Sequence, residues 1–312
     1  MIEQRFIQQL EYVPDTKGGE AAFVVLEQKV EKGAKRRFGC IGESEKNRLA
    51  HEFELIRETD TAKLFLYWAD IVAAIRQKTY PYIYSVQNCS LVSYCLGITE
   101  VNPLLTGSYF ERLLTRRSTH VPILFIEVPK GRGEEASEVL KEKTLIEIEE
   151  NAALPDLDPI DVMDFFKRQT YENRKILQSA AASLEIAAQK PPETVRALAD
   201  LLVYKRYKEF MDEMPSLLYQ EDAVDLLVKA GLSYEEAECA RRAFAMKNRA
   251  EIDCCRNAFE RAARKNGYSI GEANAIFSDV EKEINFTVCR ASYVAMAQYL
   301  YMNTFFQGKI KG

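Results

Sequence analysis

No segment of this sequence is apolar enough, for long enough, to cross a bilayer as a helix. The run Val121–Ile126 is short, and the richest apolar region, Leu64–Ile75, carries Asp70, whereas a spanning helix needs about 20 consecutive apolar residues. The opening Met-Ile-Glu-Gln-Arg has no hydrophobic core of a secretory leader, so a cytoplasmic chain without membrane association is expected. Histidine is scarce, with only His51 and His120, and the seven cysteines form no C-x-x-C pair. A zinc site built on Cys and His is therefore not expected, and an odd cysteine count fits a reducing compartment. Glycine is sparse too, 14 of 312 residues, below the usual ~7%, which favours helices over turn-rich β architectures.

What is present fits an ordinary globular protein of one large or two smaller domains, with 47% hydrophobic and 29% charged residues. The net charge of -5 argues against a uniformly basic nucleic-acid binder, but it hides a division. From Gly133 to Asp161 there are ten acids and two lysines, whereas Arg241–Lys265 holds eight cations (Arg241, Arg242, Lys247, Arg249, Arg256, Arg261, Arg264, Lys265) and three acids. The basic run fits a grip on phosphates equally with a solvated face that pairs with the acidic segment. Arg242, Arg249 and Arg256 are seven apart, which would align them on one continuous helix.

Apolar residues at Phe23, Leu26, Val30 and at Leu49, Phe53, Ile56 predict two helices over 20–58, broken at Gly39 and Gly42. Leu64–Arg76 and Tyr109–Leu114 also read as helical. The apolar stretch Ser90–Ile98 closes at Gly97. Val121–Val128 is β-branched and aromatic, bounded by Pro129 and Gly131, and reads as a buried strand. A helix is expected over Ala136–Glu150, then a break at Leu154–Pro159. Capping boxes at Ser233/Glu236 and Ser269/Glu272 predict a helical run to Gly267 and another beyond it, with a last helix over Asn285–Phe306. The fold class is thus α+β and predominantly α-helical, in two domains, 1–153 and 154–312.

Several elements in order carry a resemblance. Tyr94-Cys95-Leu96-Gly97-Ile98-Thr99 followed by Pro103, and Phe110-Glu111-Arg112-x-Leu114, resemble the Y-C-L-G-I-T-x-x-x-P and F-E-R-F-L elements of the alpha subunit of bacterial DNA polymerase III, the family C polymerases. Tyr219-Gln220-Glu221, then Ala230-Gly231-Leu232-Ser233 with Arg241-Arg242-Ala243, are similar to that family's Y-Q-E-Q and fingers elements. The resemblance runs over roughly residues 20 to 306. It implies a reduced nucleotidyltransferase-like palm in 1–153, ending in the acidic connecting segment, and a helical fingers-like region in 154–312. The metallohydrolase-like and clamp-binding parts of the family are not expected in this chain.

The family's chemistry is where the two diverge. Its G-R-G-S turn, which binds triphosphate through backbone N–H groups, aligns with Ile83-Tyr84-Ser85-Val86, and Cys89 stands at a further glycine position. Its P-D-x-D-x-D strand, which clamps two Mg²⁺ ions, aligns with Pro122–Glu127, so that Ile123 and Phe125 replace two aspartates and Glu127 the third. The F-N-K-S-H-A element reads Phe286–Ala291 without its Lys and His, and one lysine of the R-R-A-x-G-K-K pair is lost at Ala245-Met246-Lys247.

The implied reading is a catalytically inactive, polymerase-like protein, with no catalytic residues at Ile123, Phe125 and Glu127 and no cofactor. Its partners would be DNA, bound weakly and without sequence preference through the eight cations of 241–265, or a replication or repair protein. One rival is an active polymerase with Mg²⁺ held by Glu127 together with displaced acids such as Glu138 and Asp70. Another is a regulatory protein without nucleic-acid contact, whose apolar surface a partner or a second copy would cover. Glu127 otherwise reads as a satisfied strand carboxylate, Cys254-Cys255 as a half-buried helical pair, and Tyr80, Tyr82 and Tyr84 as an edge-strand face or a stacking platform.

Overall fold

The computed structural model describes residues 4–8, 19–83, 85–118, 122, 124–128, 132–144, 149–151, 196, 198–200, 202–203, 206–207 and 215–299. The chain divides into two compact units, one of residues 1–163 and 298–312, the other of residues 164–297. The architecture is α+β and predominantly helical.

In the first unit, α1 (Gly19–Phe38) and α2 (Glu43–Glu58) are separated by Gly39, which turns the chain at φ 68°. Next comes α3 (Ala62–Arg76), whose Leu64, Phe65, Trp68, Ile71, Val72 and Ile75 recur at helical spacing and are all buried. Phe65 packs against Trp68 and Phe110, with ring centroids 5.2 and 6.5 Å apart. Helix α4 (Leu91–Leu96) crosses α1 at Gly33, so closely that a Cβ there would lie 1.9 Å from the Cys95 carbonyl oxygen. Asn102 caps the single turn of α5 (Pro103–Thr106) through Leu104 N. Phe110–Arg112 forms only a 3₁₀ turn rather than the helix expected over Tyr109–Leu114.

A small antiparallel sheet of order β2-β3-β1-β4 lies in this unit. It consists of β1 (Gln4–Gln8), β2 (Tyr82–Ile83), β3 (Leu124–Val128) and β4 (Glu149–Asn151). Strand β3 is the central buried strand that its β-branched sequence predicts. It pairs with β1 in the register Gln4↔Val128 to Gln8↔Leu124 and with β2 through Tyr82↔Glu127. The N-terminal strand was not expected. The acidic helix α6 (Gly133–Thr144) is shorter than the sequence suggests, because Glu149–Asn151 pairs with β1 instead of continuing it.

The second unit contains α7 (Gln220–Lys229), α8 (Tyr234–Ala245), α9 (Arg249–Lys265) and α10 (Ile270–Glu283). Both expected capping boxes are formed, at Ser233/Glu236 and Ser269/Glu272. The expected continuous run from Ser233 to Gly267 is two helices. Lys247 takes a left-handed φ of 53°, and Asn248 opens α9 by accepting a hydrogen bond from Glu251 N. The break lets Phe244, Phe259 and Phe277 meet in one core, with centroids 5.1 and 5.4 Å apart. Gly231, at φ 127°, also admits a close approach, though a less tight one than Gly33: a Cβ there would sit 2.9 Å from the Ala262 carbonyl oxygen.

The helix expected over Asn285–Phe306 is also interrupted. Ile284–Phe286 is 3₁₀, and Val288 leaves the helical path to form a parallel bridge with Tyr219. Val288 N donates to Leu218 O and Gln220 N to Val288 O, so a helix restarts only at α11 (residues 290–299). Residues 300–306 lie outside the described residues.

Candidate functional site

The segment between β2 and α4 stands where the resemblance would place a phosphate-binding turn. Its polar groups are consumed internally. The Ser85 hydroxyl meets the Gln87 side chain, Asn88 Nδ2 donates to Ile83 O at 2.9 Å, and Thr99 Oγ1 donates to Asn88 Oδ1. Tyr84 lies outside the described residues.

The N-terminus of α4 is filled by a carboxylate of the protein itself. Glu52, on α2 and wholly buried, accepts at Oε1 from Leu91 N (2.8 Å) and at Oε2 from Val92 N (2.9 Å) and the Ser90 hydroxyl (2.7 Å). Arg48, one turn earlier, donates Nε to Glu52 Oε1 at 2.7 Å and its Nη atoms to Ser108 O and Cys89 O. This is a compact, charge-balanced lock: a buried anion satisfied by a cation, two backbone N–H groups and a hydroxyl. Neither residue was singled out from sequence. The signal was there, since Glu52 shares a helical face with Leu49, Leu55 and Ile56, all buried, and a charge on such a face needs a partner.

Beside this lock, His51 Nε2 lies 2.8 Å from Glu111 Oε1 in the Phe110–Arg112 turn. The hydrogen bond to Glu111 raises the imidazole above its usual range, against the opposing effect of burial.

On β3, Glu127 is fully buried and Phe125 half-buried; Ile123 lies outside the described residues. Burial first, and the Glu127 charge second, push the Tyr299 phenol well up, and its ring lies 5.0 Å from that of Tyr82. The acids considered as displaced metal ligands occupy a different environment. Asp70 is exposed and pairs with Lys29 at 3.5 Å, and Glu138 is exposed on α6.

The eight cations of 241–265 separate into two groups. Arg241 is buried against Glu238 (2.7 and 2.8 Å), and Arg242 Nε reaches the same carboxylate at 2.9 Å. Arg249 and Arg256 share Glu281 at 2.9 and 2.6 Å, and Arg256 also lies 4.6 Å over the Phe277 ring. Lys247, Arg261, Arg264 and Lys265 are exposed, and no ion pair engages them among the described residues. Arg242, on α8, does not share a helix with Arg249 and Arg256 on α9, so the face expected from heptad spacing is not formed. Cys254 is exposed and Cys255 half-buried.

The Tyr219-Gln220-Glu221 element anchors a buried network in the second unit. The Tyr219 hydroxyl donates to Asp200, the Arg290 guanidinium lies 4.4 Å over the Tyr219 ring, and Arg290 Nη2 reaches Asp222. Arg290 N, at the start of α11, donates to both Glu221 oxygens at 3.0 and 2.9 Å. Burial pushes Glu221 up to about 8 and Asp200 up to about 6, although Tyr219 pulls Asp200 the other way. Arg290 thus ties the start of α11 to α7.

Comparison with known proteins gives a partial match. Residues 24–144 match the family described as the bacterial DNA polymerase III alpha NTPase domain. The error-prone DNA polymerase of Burkholderia mallei (strain ATCC 23344) is 35% identical over 121 residues, 38% of this chain and 11% of that protein. That of Idiomarina loihiensis is 32% identical over 146 residues, 46% of this chain and 14% of its own length. The DNA polymerase III subunit alpha of Halalkalibacterium halodurans is 33% identical over 132 residues, 41% of this chain and 12% of its own. The first unit is therefore similar to one region of a DNA polymerase III alpha subunit and of error-prone DNA polymerases, and the match covers only about a tenth of these relatives' length. Among the described residues no helix is long and apolar enough to cross a membrane.

Proposed function

We propose that this chain is a non-catalytic, polymerase-like module that holds nucleic acid at a replication or repair site without transferring nucleotides. The observation that carries the reading is the lock at α4. The N–H groups of Leu91 and Val92 and the Ser90 hydroxyl, which directly follow the segment aligned with the family's phosphate-binding turn, are already bonded to Glu52 at 2.7–2.9 Å. A triphosphate drawing on these donors would have to displace a buried carboxylate held by Arg48. The carboxylate set supports the same reading. Glu127 is buried on β3, whereas Asp70 and Glu138 are exposed, and two-metal phosphoryl chemistry needs acids converging on one cavity.

The test pairs two measurements on the full chain. Primer extension with Mg²⁺ or Mn²⁺ is expected to give no product. Binding of a labelled oligonucleotide should be weak, independent of sequence and steeply lowered by salt. Extension that disappears in Glu127→Gln would overturn the non-catalytic part. Absence of binding even at low salt would overturn the nucleic-acid part and leave a protein partner as the ligand.

A further inference from the structure

We infer that the corner between α9 and α10, carrying Arg261, Arg264 and Lys265 at the Gly267 turn, is the surface of the second unit that receives the phosphate backbone of a nucleic-acid strand. This rests on the nucleic-acid reading above and adds where the contact is made. Half of the basic segment is already spent: Arg241 and Arg242 on Glu238, Arg249 and Arg256 on Glu281. Glu238 and Glu281 together offset about half of the charge of these four cations, and Arg241 is buried as well.

The remaining cations are not evenly spread. Lys247 stands alone before α9, whereas Arg261, Arg264 and Lys265 fall on one exposed face of its last turns, where side chains three and four apart are neighbours. Favourable interaction with the helix end would account for part of this charge, but the C-terminal dipole amounts to only about half an elementary charge. Glu260 is the one acid in the same turns. Glu272, just beyond, is committed to Ser269 N and Oγ at 2.8 and 2.7 Å. With Glu260, Glu272 and the negative end of α9 set against the three cations and the positive start of α10, the corner keeps a net charge of about +1.

Its shape suits a strand. Gly267, at φ 88°, has nothing within 4 Å of a Cβ position, so backbone and solvent meet openly there. Tyr268 is half-exposed and Ile270 is 53% exposed, giving the cations an aromatic and apolar neighbour of the kind on which unpaired bases stack.

The experiment is fluorescence anisotropy of a labelled single-stranded 20-mer against the full chain over a salt series, with melting temperature measured alongside. The triple variant Arg261→Glu/Arg264→Glu/Lys265→Glu should weaken binding at least about tenfold at low salt. It should also make the slope of log K against log salt shallower by roughly 2, at about 0.7 per single-strand phosphate contact. The neutralising triple to Gln guards against a folding artefact and should show a smaller loss in the same direction. Lys247→Glu should change affinity less than about threefold, as expected for one isolated contact. If wild type binds but both triples, melting as wild type does, bind equally well, the corner is wrong and the nucleic-acid reading stands. If wild type does not bind at low salt, both fall together. If labelled poly-glutamate binds as tightly as the oligonucleotide, with the same loss in the triples, the occupant is an acidic polypeptide and the nucleic-acid assignment is overturned.

Discussion

Removal of the Glu52 carboxylate is the sharpest perturbation of the first unit. In Glu52→Ala, the Arg48 guanidinium loses its partner at 2.7 Å, and Leu91 N, Val92 N and the Ser90 hydroxyl lose their acceptors in a site with no exposure to water. Breaking a buried ion pair from one side costs about 3–5 kcal/mol. Arg48 keeps two backbone carbonyls, Ser108 O and Cys89 O, which holds the expected loss toward the lower end, about 3 kcal/mol. For a unit of this size each kcal/mol shifts the melting temperature by roughly 2–4 °C, so a drop of about 6–12 °C is expected. Glu52→Gln retains the volume but brings an NH₂ toward N–H donors, and should fall between alanine and wild type. Urea denaturation monitored by the fluorescence of Trp68, buried in the same unit, separates stability from a change in slope. A loss under about 1 kcal/mol for Glu52→Ala, the range of an exposed ion pair, would refute the view that this carboxylate holds the turn. A gain in melting temperature on adding pyrophosphate to wild type would refute the occupied-site reading, because it would mean that the turn still takes an external anion.

Three other outcomes are expected. The Glu111-bound His51 has its imidazole raised above 6.5, so the pair contributes stability that is complete below that pH and lost as pH rises through the raised value; with the ring 41% exposed, His51→Gln should remove less than about 1 kcal/mol, seen as a flattened pH–stability profile near neutrality. Asp200 is raised from 3.8 to about 6, so the stability that its protonated form contributes is present in acid and lost as pH climbs through 6. Tyr219→Phe removes the hydroxyl that pulls Asp200 downward and should move that loss to higher pH, read by chemical denaturation across pH 4–8. Gly33→Ala would drive a methyl to 1.9 Å from Cys95 O, forcing α1 and α4 apart, and should cost more than the roughly 1–2 kcal/mol expected for Gly39→Ala, where only the left-handed φ of 68° is at issue.

Much of the fold was legible because local signals agreed with it. The apolar periodicity of α1 and α3, the β-branched run of β3 and both Ser-x-x-Glu boxes each name their own element. Three of the misreadings share one cause, a long-range backbone partner invisible to local pattern. Strand β1 is specified by β3, which lies over a hundred residues away. Glu149–Asn151 is drawn from helix to strand by β1, and Val288 is drawn out of a helix by Tyr219. At the candidate site, the absence of Gly and Asp from the expected positions could be read directly. The burial of Glu52 could be read from its helical face, but the donors that Glu52 and Glu281 reach could not, because most of them are distant in sequence.

The bridge between Tyr219 and Val288, with the capping of Arg290 N by Glu221, closes a loop of 69 residues. Loop closure on that scale grows only as the logarithm of length, about 0.6 kcal/mol per doubling, so the native state is little burdened by it. The order of events is another matter. During synthesis, α7 emerges well before Arg290, whose N–H donates to Glu221, and a nascent chain ending near Phe286 has every helix from α7 to α10 but not the segment that joins their two ends. The second unit should therefore become protease-resistant in a single late step, after residue 290 and its following turn are available, rather than helix by helix.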